Sequence, residues 1–454
     1  MIVKFYQDDQ REGIHLRTII RTGLAIGLIC LGGCNNLKYQ VGGTVTGLTG
    51  SGLVLENNGG DNLNVTGNGG FSFGTGVTNG DVFSVTVATE PSNPTQTCSV
   101  HNGSGTIDKA AFTHVVVTCS QAAQYAWVAN QTSSDISAYA IDATTGFLTP
   151  AADSPFAANG MTPTGIAVDP NGQYAYVAYN ASNTVGAYSI DSTSGALSAV
   201  GLPTATQTGP VAVTVDPTDS YVYVANQTSN SVSAYTVAAG ALTEISGSPF
   251  AVGNGPVALS TDPGSNYLYV VNFTDGTVSV LAIDPTTGAL SDIAGSPFGA
   301  GIGASSIAID PTGTYAYVAN TGAATISAYA IVAASGALTP VANSPFSTGS
   351  GAESVAVDPA GAHVYAANAN AANEVAAYTI YPSTGALTSS GASVAAGALP
   401  ISVAIDPAGT FAYVANGNSN DLSVYAIGTG TGLLSAVGGS PFATDQGPRS
   451  IAVH

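Results

Sequence analysis

Two charged residues, Glu353 and Arg449, occupy equivalent places in a repeated sequence. Glu353 lies five residues before Asp358, and Arg449 lies five residues before His454. A carboxylate can accept a proton as a general base, and a guanidinium can pair with a carboxylate or with developing negative charge. If the fold brings the two to one opening, they are candidate catalytic residues acting on a small polar ligand. The alternative is that they form an ordinary salt bridge.

A second set of candidate residues, for ligand binding, ends the same strand core in every repeat. Six repeats carry asparagine and one carries tyrosine: Asn130, Tyr179, Asn226, Asn272, Asn320, Asn368 and Asn416. These side chains could bind a polar ligand, whereas the alternative is that the asparagines cap neighbouring loops. No Ser-His-Asp set and no cluster of histidines and carboxylates can be assembled at the same place, so we expect no metal and no cofactor.

These residues belong to a unit that recurs seven times from Gln124 onward, with strand cores spaced 46 to 49 residues apart. A period of roughly 40–50 residues with four short β-rich runs per unit is typical of a β-propeller. The segment 449–453 matches the first strand of the other units, so it should complete the blade that begins at Gln124. The sequence therefore predicts a seven-bladed β-propeller over residues 122–454, closed by the C-terminal strand.

The recurring motifs are Tyr-Val-Ala-Asn, Val-Ser-Ala-Tyr, Gly-Ala-Leu, Ser-Pro-Phe and Ala-Val-Asp-Pro-x-Gly. Together they resemble the seven-bladed propeller lactonase family over residues 124–454. That family includes 6-phosphogluconolactonase-type hydrolases, related muconate-lactonising enzymes and surface proteins with Tyr-Val-Thr-Asn repeats. The resemblance implies a propeller fold and, at the channel mouth, a lactone-hydrolysing site with several cationic side chains. Arg449 is the one Lys or Arg between Gln124 and His454, which favours binding over catalysis.

The Asp-Pro-x-Gly motif has a structural explanation. We expect Asp310 to accept hydrogen bonds from turn amides, Pro311 to fix φ, and Gly313 to adopt a positive φ. Calcium binding is the less favoured alternative, because the motif lacks the ligand spacing of an EF-hand. Tyrosines of the third strand, such as Tyr329, are expected to pack between blades rather than to form a carbohydrate platform.

Residues 1–33 are typical of a lipoprotein signal peptide. Arg17 and Arg21 precede the apolar run 23–31, which ends in Leu-Gly-Gly-Cys with Cys34 last. The run is about half as long as a membrane-spanning helix, and its end resembles the lipobox of bacterial lipoproteins. The alternative is an ordinary signal peptide cleaved nearby. With residues 34–37 as a lipidated linker, we expect an exported protein anchored to a bacterial membrane, in the periplasm or at the cell surface.

Residues 38–121 alternate short β-rich runs with glycine and asparagine turns, which predicts a small Ig-like β-sandwich. Cys98 and Cys119 lie in two of these runs and form an even pair in an exported chain. We therefore predict a structural disulfide between them rather than a redox-active pair. Nothing catalytic is visible in this region, so a spacer or adhesion role is expected.

The charge composition excludes one class of partner. The chain has 7 Lys+Arg against 27 Asp+Glu, and binding to nucleic acid needs clustered cations. Its hydrophobic content of 45% is enough for a large core. We predict an all-β surface or periplasmic binding or scaffold protein, with a lactone hydrolase of the 6-phosphogluconolactonase type as the alternative. Its expected partners are the membrane, through the lipid anchor, and a cell-surface protein or polysaccharide, with no nucleic acid.

Overall fold

The computed structural model describes residues 37–48, 50–92, 96–121, 123–349, 351–369 and 372–454. All regular secondary structure in these ranges is β-strand, and they hold no helix that could cross a membrane. The predicted signal peptide and the predicted lipidation site, Cys34, lie outside the described residues. The chain divides into two compact units, with the boundary between Ser120 and Gln121.

The first unit contains two four-stranded sheets around one core. Its strands are β1 (Lys38–Tyr39), β2 (Val41–Thr46), β3 (Leu53–Asn57), β4 (Asp61–Val65), β5 (Gly69–Ser72), β6 (Val77–Thr78), β7 (Val82–Thr89), β8 (Gln96–His101), β9 (Ser104–Thr106) and β10 (Phe112–Gln121). The sheet orders are β5-β2-β10-β8 and β4-β3-β7-β9, and a separate pair joins β1 to β6. Alternating side chains of both sheets, among them Val45, Leu55 and Val117, share one buried cluster. The unit is therefore a β-sandwich, and its Ig-like character stays a prediction.

The predicted disulfide of this unit is confirmed. Cys98 on β8 and Cys119 on β10 are bonded across a sequence separation of 21 residues, and both are buried. Their strands are neighbours in one sheet, and β8 is its edge strand. The disulfide therefore links the edge strand covalently to the rest of the sheet.

Replacing both Cys98 and Cys119 by alanine is expected to destabilise the sandwich by about 3 kcal/mol, because the reopened loop regains chain entropy in the unfolded state. Calorimetry of the full chain should show the sandwich transition at a lower temperature. The one tryptophan, Trp127, lies in the second unit, so its fluorescence identifies the propeller transition, which should not move. An unshifted sandwich transition would contradict the prediction.

The second unit is built from thirty-five further strands. In chain order they are β11 (Gln124–Asn130), β12 (Asp135–Ile141), β13 (Leu148–Pro150), β14 (Phe156–Ala157), β15 (Pro163–Val168), β16 (Tyr174–Tyr179), β17 (Thr184–Ile190), β18 (Leu197–Ala199), β19 (Thr204–Ala205), β20 (Pro210–Val215), β21 (Tyr221–Asn226), β22 (Ser231–Ala238), β23 (Ala241–Glu244), β24 (Phe250–Ala251), β25 (Pro256–Thr261), β26 (Tyr267–Asn272), β27 (Thr277–Ile283), β28 (Leu290–Asp292), β29 (Phe298–Gly299), β30 (Ala304–Ile309), β31 (Tyr315–Asn320), β32 (Thr325–Ile331), β33 (Leu338–Pro340), β34 (Phe346–Ser347), β35 (Ala352–Val357), β36 (His363–Asn368), β37 (Glu374–Ile380), β38 (Leu387–Ser389), β39 (Val394–Ala395), β40 (Pro400–Ile405), β41 (Phe411–Asn416), β42 (Asp421–Ile427), β43 (Leu434–Ala436), β44 (Phe442–Ala443) and β45 (Pro448–Val453).

Each blade is an antiparallel sheet of four main strands with a short fifth strand beside the third. Blade 1 combines β11 to β14 with β45, and blades 2 to 7 begin at β15, β20, β25, β30, β35 and β40. The innermost strands contact one another in a closed circle that runs β45, β15, β20, β25, β30, β35, β40 and back to β45. The predicted all-β fold with a seven-bladed propeller is confirmed.

The C-terminal strand closes the ring, as predicted. β45 pairs antiparallel with β11, with Trp127 opposite Ala452 and Val128 opposite Ile451. Tyr125 and His454 extend the ladder, because each backbone amide donates to the other residue's carbonyl, at 2.8 and 3.0 Å. The first blade therefore takes its innermost strand from the end of the chain, and closure removes the free edge that β11 would otherwise present.

Tyrosine hydroxyls of the third strands join neighbouring blades. Tyr329 donates to the Gly299 carbonyl at 2.6 Å, and Tyr235 donates to the Ala205 carbonyl at 2.6 Å. Three further blades repeat this bond, through Tyr139, Tyr378 and Tyr425. The acceptor in each case lies on the short fifth strand of the adjacent blade, so the expected packing role of these tyrosines is confirmed.

The Asp-Pro turns cap backbone amides, as predicted. Asp310 Oδ1 accepts hydrogen bonds from the amides of Thr314 and Tyr315 at 2.7 and 2.6 Å, and Gly313 has a φ of 68°. The same pair of bonds recurs at Asp169, Asp216, Asp262, Asp358 and Asp406. These turns join the innermost strands to the second strands, at the end of the propeller where the innermost strands finish.

Candidate functional site

A ring of seven bulged residues surrounds the opposite end of the channel, where the innermost strands begin. The first residue of each innermost strand pairs with the last residue of the second strand, and the register then shifts past the next residue. A bulge of this kind leaves one residue without a cross-strand partner and re-aims its side chain. The seven bulge residues are Thr164, Val211, Val257, Ser305, Glu353, Ile401 and Arg449.

All seven bulge residues line one cavity of about 470 Å³. The next residue along each innermost strand also lines it, and this residue is serine on four adjacent blades and a small apolar residue on the other three. The serines are Ser306, Ser354, Ser402 and Ser450, on blades 5, 6, 7 and 1, and the small residues are Gly165, Ala212 and Ala258, on blades 2, 3 and 4. We call the side formed by blades 5, 6, 7 and 1 the polar half and the side formed by blades 2, 3 and 4 the apolar half.

Glu353 is the carboxylate of the polar half. It is the second residue of β35 and is partly buried in the cavity wall. Burial raises the pKa of its carboxyl above the ordinary value of 4.5, while the charge of Arg449 and a hydrogen bond with Thr321 act in the lowering direction. A carboxyl with a raised pKa is a stronger proton acceptor once ionised, which suits it to work as a general base.

Arg449 lies in the same wall but does not neutralise Glu353 directly. Across the described residues, the one contact at ion-pair distance is between His363 and Asp358, at 2.9 Å, at the other end of the channel. Ile401 lies between Glu353 and Arg449 in the ring. The direct salt bridge that the alternative required is therefore absent from the described residues, and Arg449 is exposed, so its guanidinium can meet a ligand.

The four serines of the polar half were missed by the sequence reasoning. The oxygen of each accepts a hydrogen bond from a backbone amide of the next blade, at 3.2 to 3.3 Å, as in Val403 to Ser354 and Ile451 to Ser402. Among the described residues no acceptor takes their hydroxyl protons, which can thus donate to a ligand in the cavity. The signal was present in the sequence as a serine four residues before the turn aspartate in three repeats, and before His454 in a fourth.

The asparagines predicted to bind ligand do not line the cavity, and the structure corrects this assignment. Asn130, Asn226, Asn272, Asn320, Asn368 and Asn416 are fully buried. The amide of Asn320 donates to the hydroxyls of Thr325 and Ser327 at 3.1 and 2.9 Å, and four others make equivalent bonds to the third strand. Asn368 instead donates to the Thr348 carbonyl at 3.5 Å. The sequence carries a signal for these bonds: in the five repeats that make them, a hydroxyl or carboxylate residue stands five and seven positions after the asparagine. This pattern favours the loop-capping alternative.

Tyr179 is also buried away from the cavity, so its predicted ligand role is corrected as well. Its hydroxyl bonds to that of Tyr188. Its ring fills the space above Gly160 and Gly186, where an added Cβ would come within 2.5 and 2.7 Å of the ring. Five other repeats have serine at the position of Gly186, so the tyrosine and the glycine replace the asparagine and serine pair of those blades as one packing unit.

The second unit is thus a closed ring of seven blades with a cavity at the channel mouth that is polar on one side and apolar on the other. The sequence matches the family described as "Lactonase, 7-bladed beta-propeller" over residues 82–255, 199–300, 238–394 and 301–448, and the chain belongs to that family. No curated protein matches the chain significantly.

Solved structures share the fold. A candidate 6-phosphogluconolactonase from Bacteroides uniformis is 18% identical with a TM-score of 0.65, and the alignment covers 74% of this chain and 100% of that chain. The periplasmic gluconolactonase of Pseudomonas aeruginosa is 18% identical with a TM-score of 0.63, over 73% of this chain and 99% of its own. At these identities the likeness establishes the fold alone.

Proposed function

We propose that this protein hydrolyses an uncharged lactone in the cavity at the channel mouth. The observation that carries the proposal is that a partly buried carboxylate with a raised pKa and an exposed guanidinium share one cavity without a direct ion pair between them. Family membership supports a lactone as the substrate class. The excess of acids over bases, 27 to 7, supports an uncharged one, because the field of the protein repels anions.

The polar half can supply each step of the hydrolysis. Glu353 takes a proton from water while the water oxygen bonds to the lactone carbonyl carbon. Negative charge develops on the carbonyl oxygen, where Arg449 and the serine hydroxyls can donate hydrogen bonds. The ring C–O bond then breaks, and the departing alkoxide oxygen takes the proton back from Glu353, which leaves a hydroxy acid.

The experiment for this proposal is acid release from neutral lactones, followed in a pH-stat with the purified protein and with Arg449→Met. We expect turnover by the wild type and a kcat lower by about 10²-fold in the variant, because one donor to the developing oxyanion is lost. Equal rates in the two proteins would contradict the role of Arg449, and the absence of turnover by the wild type would contradict hydrolysis itself.

The pH dependence of this activity should report on Glu353. The base must be ionised, so kcat should fall as the pH drops through the pKa of Glu353, which burial holds above 4.5. The charge of Arg449 lowers that pKa, so Arg449→Met is expected to move the acid limb of the profile to higher pH. Profiles of kcat against pH for the two proteins test this, and a limb that moves to lower pH or not at all would contradict it.

Binding without turnover is the second candidate function, and it fits the prediction of a surface or periplasmic binding or scaffold protein. The observation that favours it is that Arg449 is the one Lys or Arg in the propeller, which leaves a single cation for catalysis. In that case the same cavity should bind neutral lactones, seen as a rise in the propeller's thermal midpoint, with no release of acid.

We further propose that the protein is exported and anchored by lipid at Cys34, where a protein or polysaccharide of the cell surface could be its partner. The Cys98–Cys119 disulfide supports export, because such bonds persist in oxidising compartments. Expressed in a bacterium, the protein should partition into the detergent phase, and Cys34→Ser should abolish this partitioning. Cys30→Ser, in the same segment, is the matched control and should partition like the wild type, while detergent-phase Cys34→Ser protein would contradict the anchor.

A further inference from the structure

The apolar half of the cavity presents almost no hydrogen-bonding group to a ligand. Its wall includes Val211, Val257 and Phe273 beside the three small residues that define this half. Thr164 also lies there, but it is buried and its hydroxyl is held by the carbonyls of Ala178 and Pro210, at 3.3 and 3.1 Å. Gln227 is exposed on the same side and is the exception.

The polar half presents hydrogen-bonding groups from every blade that forms it. Ser306, Ser354, Ser402 and Ser450 have hydroxyl protons to donate, and Glu353 and Arg449 add one acceptor and one charged donor. Leu399 and Ile401 are the apolar residues of this side. The two halves face each other across the channel because they come from opposite arcs of the ring of innermost strands.

The size of the cavity agrees with a ligand larger than a bare lactone ring. A volume of about 470 Å³ falls within the range of roughly 300–1,000 Å³ that is typical of sites for drug-sized ligands. A lactone ring held by Glu353 and Arg449 would fill the polar half and leave the surface of Val211 and Val257 in contact with water. A polar substituent would lose its own hydrogen bonds to water against that surface.

From this arrangement we infer that the ligand is a lactone that carries an aliphatic substituent. Its ester oxygens face the serines and Arg449, and its substituent lies against Val211, Val257 and Phe273. The inference rests on the proposed lactone hydrolysis and deepens it by naming the substrate class. Each methylene that becomes buried against the apolar half is expected to raise kcat/KM about fourfold.

A chain-length series tests this inference. The wild-type protein is assayed with δ-valerolactone, δ-hexalactone, δ-octalactone and δ-decalactone, and with glucono-δ-lactone as the ring that carries polar substituents. We expect kcat/KM to rise about fourfold per methylene until the apolar half is filled, and glucono-δ-lactone to be a poorer substrate than δ-decalactone. Val257→Thr keeps the side-chain shape but replaces one methyl group by a hydroxyl. This variant should lower the ratio of kcat/KM for δ-decalactone over δ-valerolactone several-fold.

The outcomes separate this inference from the proposed function. Hydrolysis with equal kcat/KM along the series, or a preference for glucono-δ-lactone, would overturn the aliphatic substituent and leave lactone hydrolysis standing. If no lactone is hydrolysed, the proposed function fails, and the same series is then measured as the shift in the propeller's thermal midpoint. A shift that grows with chain length supports the aliphatic ligand, and a shift that does not grow overturns it.

Discussion

Replacing Glu353 by glutamine is expected to lower kcat for lactone hydrolysis by about 10²–10⁴-fold, because an amide cannot take a proton from water. Glutamine keeps the size and shape of the side chain, so the variant removes the proton acceptor with little change in packing. Steady-state kinetics on a neutral lactone measure the effect. Glu244→Gln is the matched control, because it makes the same chemical change on the exposed outer strand β23 and should keep full activity.

The stability of the same variant distinguishes a lost base from a damaged fold. Burial raises the pKa of Glu353 in the folded protein, so the group contributes stability below the pKa of the unfolded chain, and that contribution is lost as the pH rises through the folded pKa. Near neutral pH the ionised carboxylate therefore lowers the free energy of unfolding, and glutamine removes this cost. We expect the propeller of Glu353→Gln to melt at the wild-type temperature or above. A lower melting temperature with lost activity would contradict the assignment of Glu353 as the base.

Deleting residues 448–454 is expected to unfold the propeller under conditions where the intact chain is folded. The deletion removes all of β45, which pairs with β11 and contacts β15 and β40 on either side. Each lost ladder hydrogen bond is worth about 1 kcal/mol, and the buried side chain of Ile451 adds to the loss. Together these losses are comparable with the total stability of a domain, about 5–15 kcal/mol.

Trp127 reports this unfolding directly. It is buried, it lies opposite Ala452 in the ladder, and its indole donates to the Gly195 carbonyl of the next blade at 2.9 Å. In the deletion variant its emission should shift to that of an exposed indole, and the cooperative thermal transition should disappear. Arg449→Met is the control for loss of the site without loss of the strand, and it should keep a cooperative transition and the emission of a buried Trp127. A deletion variant with buried tryptophan emission would contradict closure by β45.

The repeat explains how much of the site could be predicted from the sequence. Each bulge residue stands five positions before the turn aspartate or, in the last blade, before His454. Because the turn fixes the register of the innermost strand, a constant spacing means a constant place in the ring. Glu353 and Arg449 could therefore be assigned to one opening before any distance was known, and both line the cavity.

Other features of the site depend on side-chain directions that the spacing does not encode. The asparagines end their strands at the correct end of the channel, yet their amides bond to the third strand and are fully buried. The absence of a direct bond between Glu353 and Arg449 depends on the distance between two side chains of the same wall, which a repeated sequence does not specify. The serines of the polar half were overlooked because a serine in a β-strand has no charge or metal-binding pattern to single it out.

A crystal structure of the protein with δ-decalactam, a stable analogue of the lactone, would test the site most directly. We predict that the lactam occupies the cavity with its carbonyl oxygen within hydrogen-bonding distance of Arg449 or of the serines of the polar half. Its alkyl chain should lie against Val211 and Val257, and the Glu353 carboxylate should face the carbonyl carbon. A lactam bound elsewhere on the propeller, or one whose alkyl chain lies against Glu353 and Arg449, would contradict the proposed site.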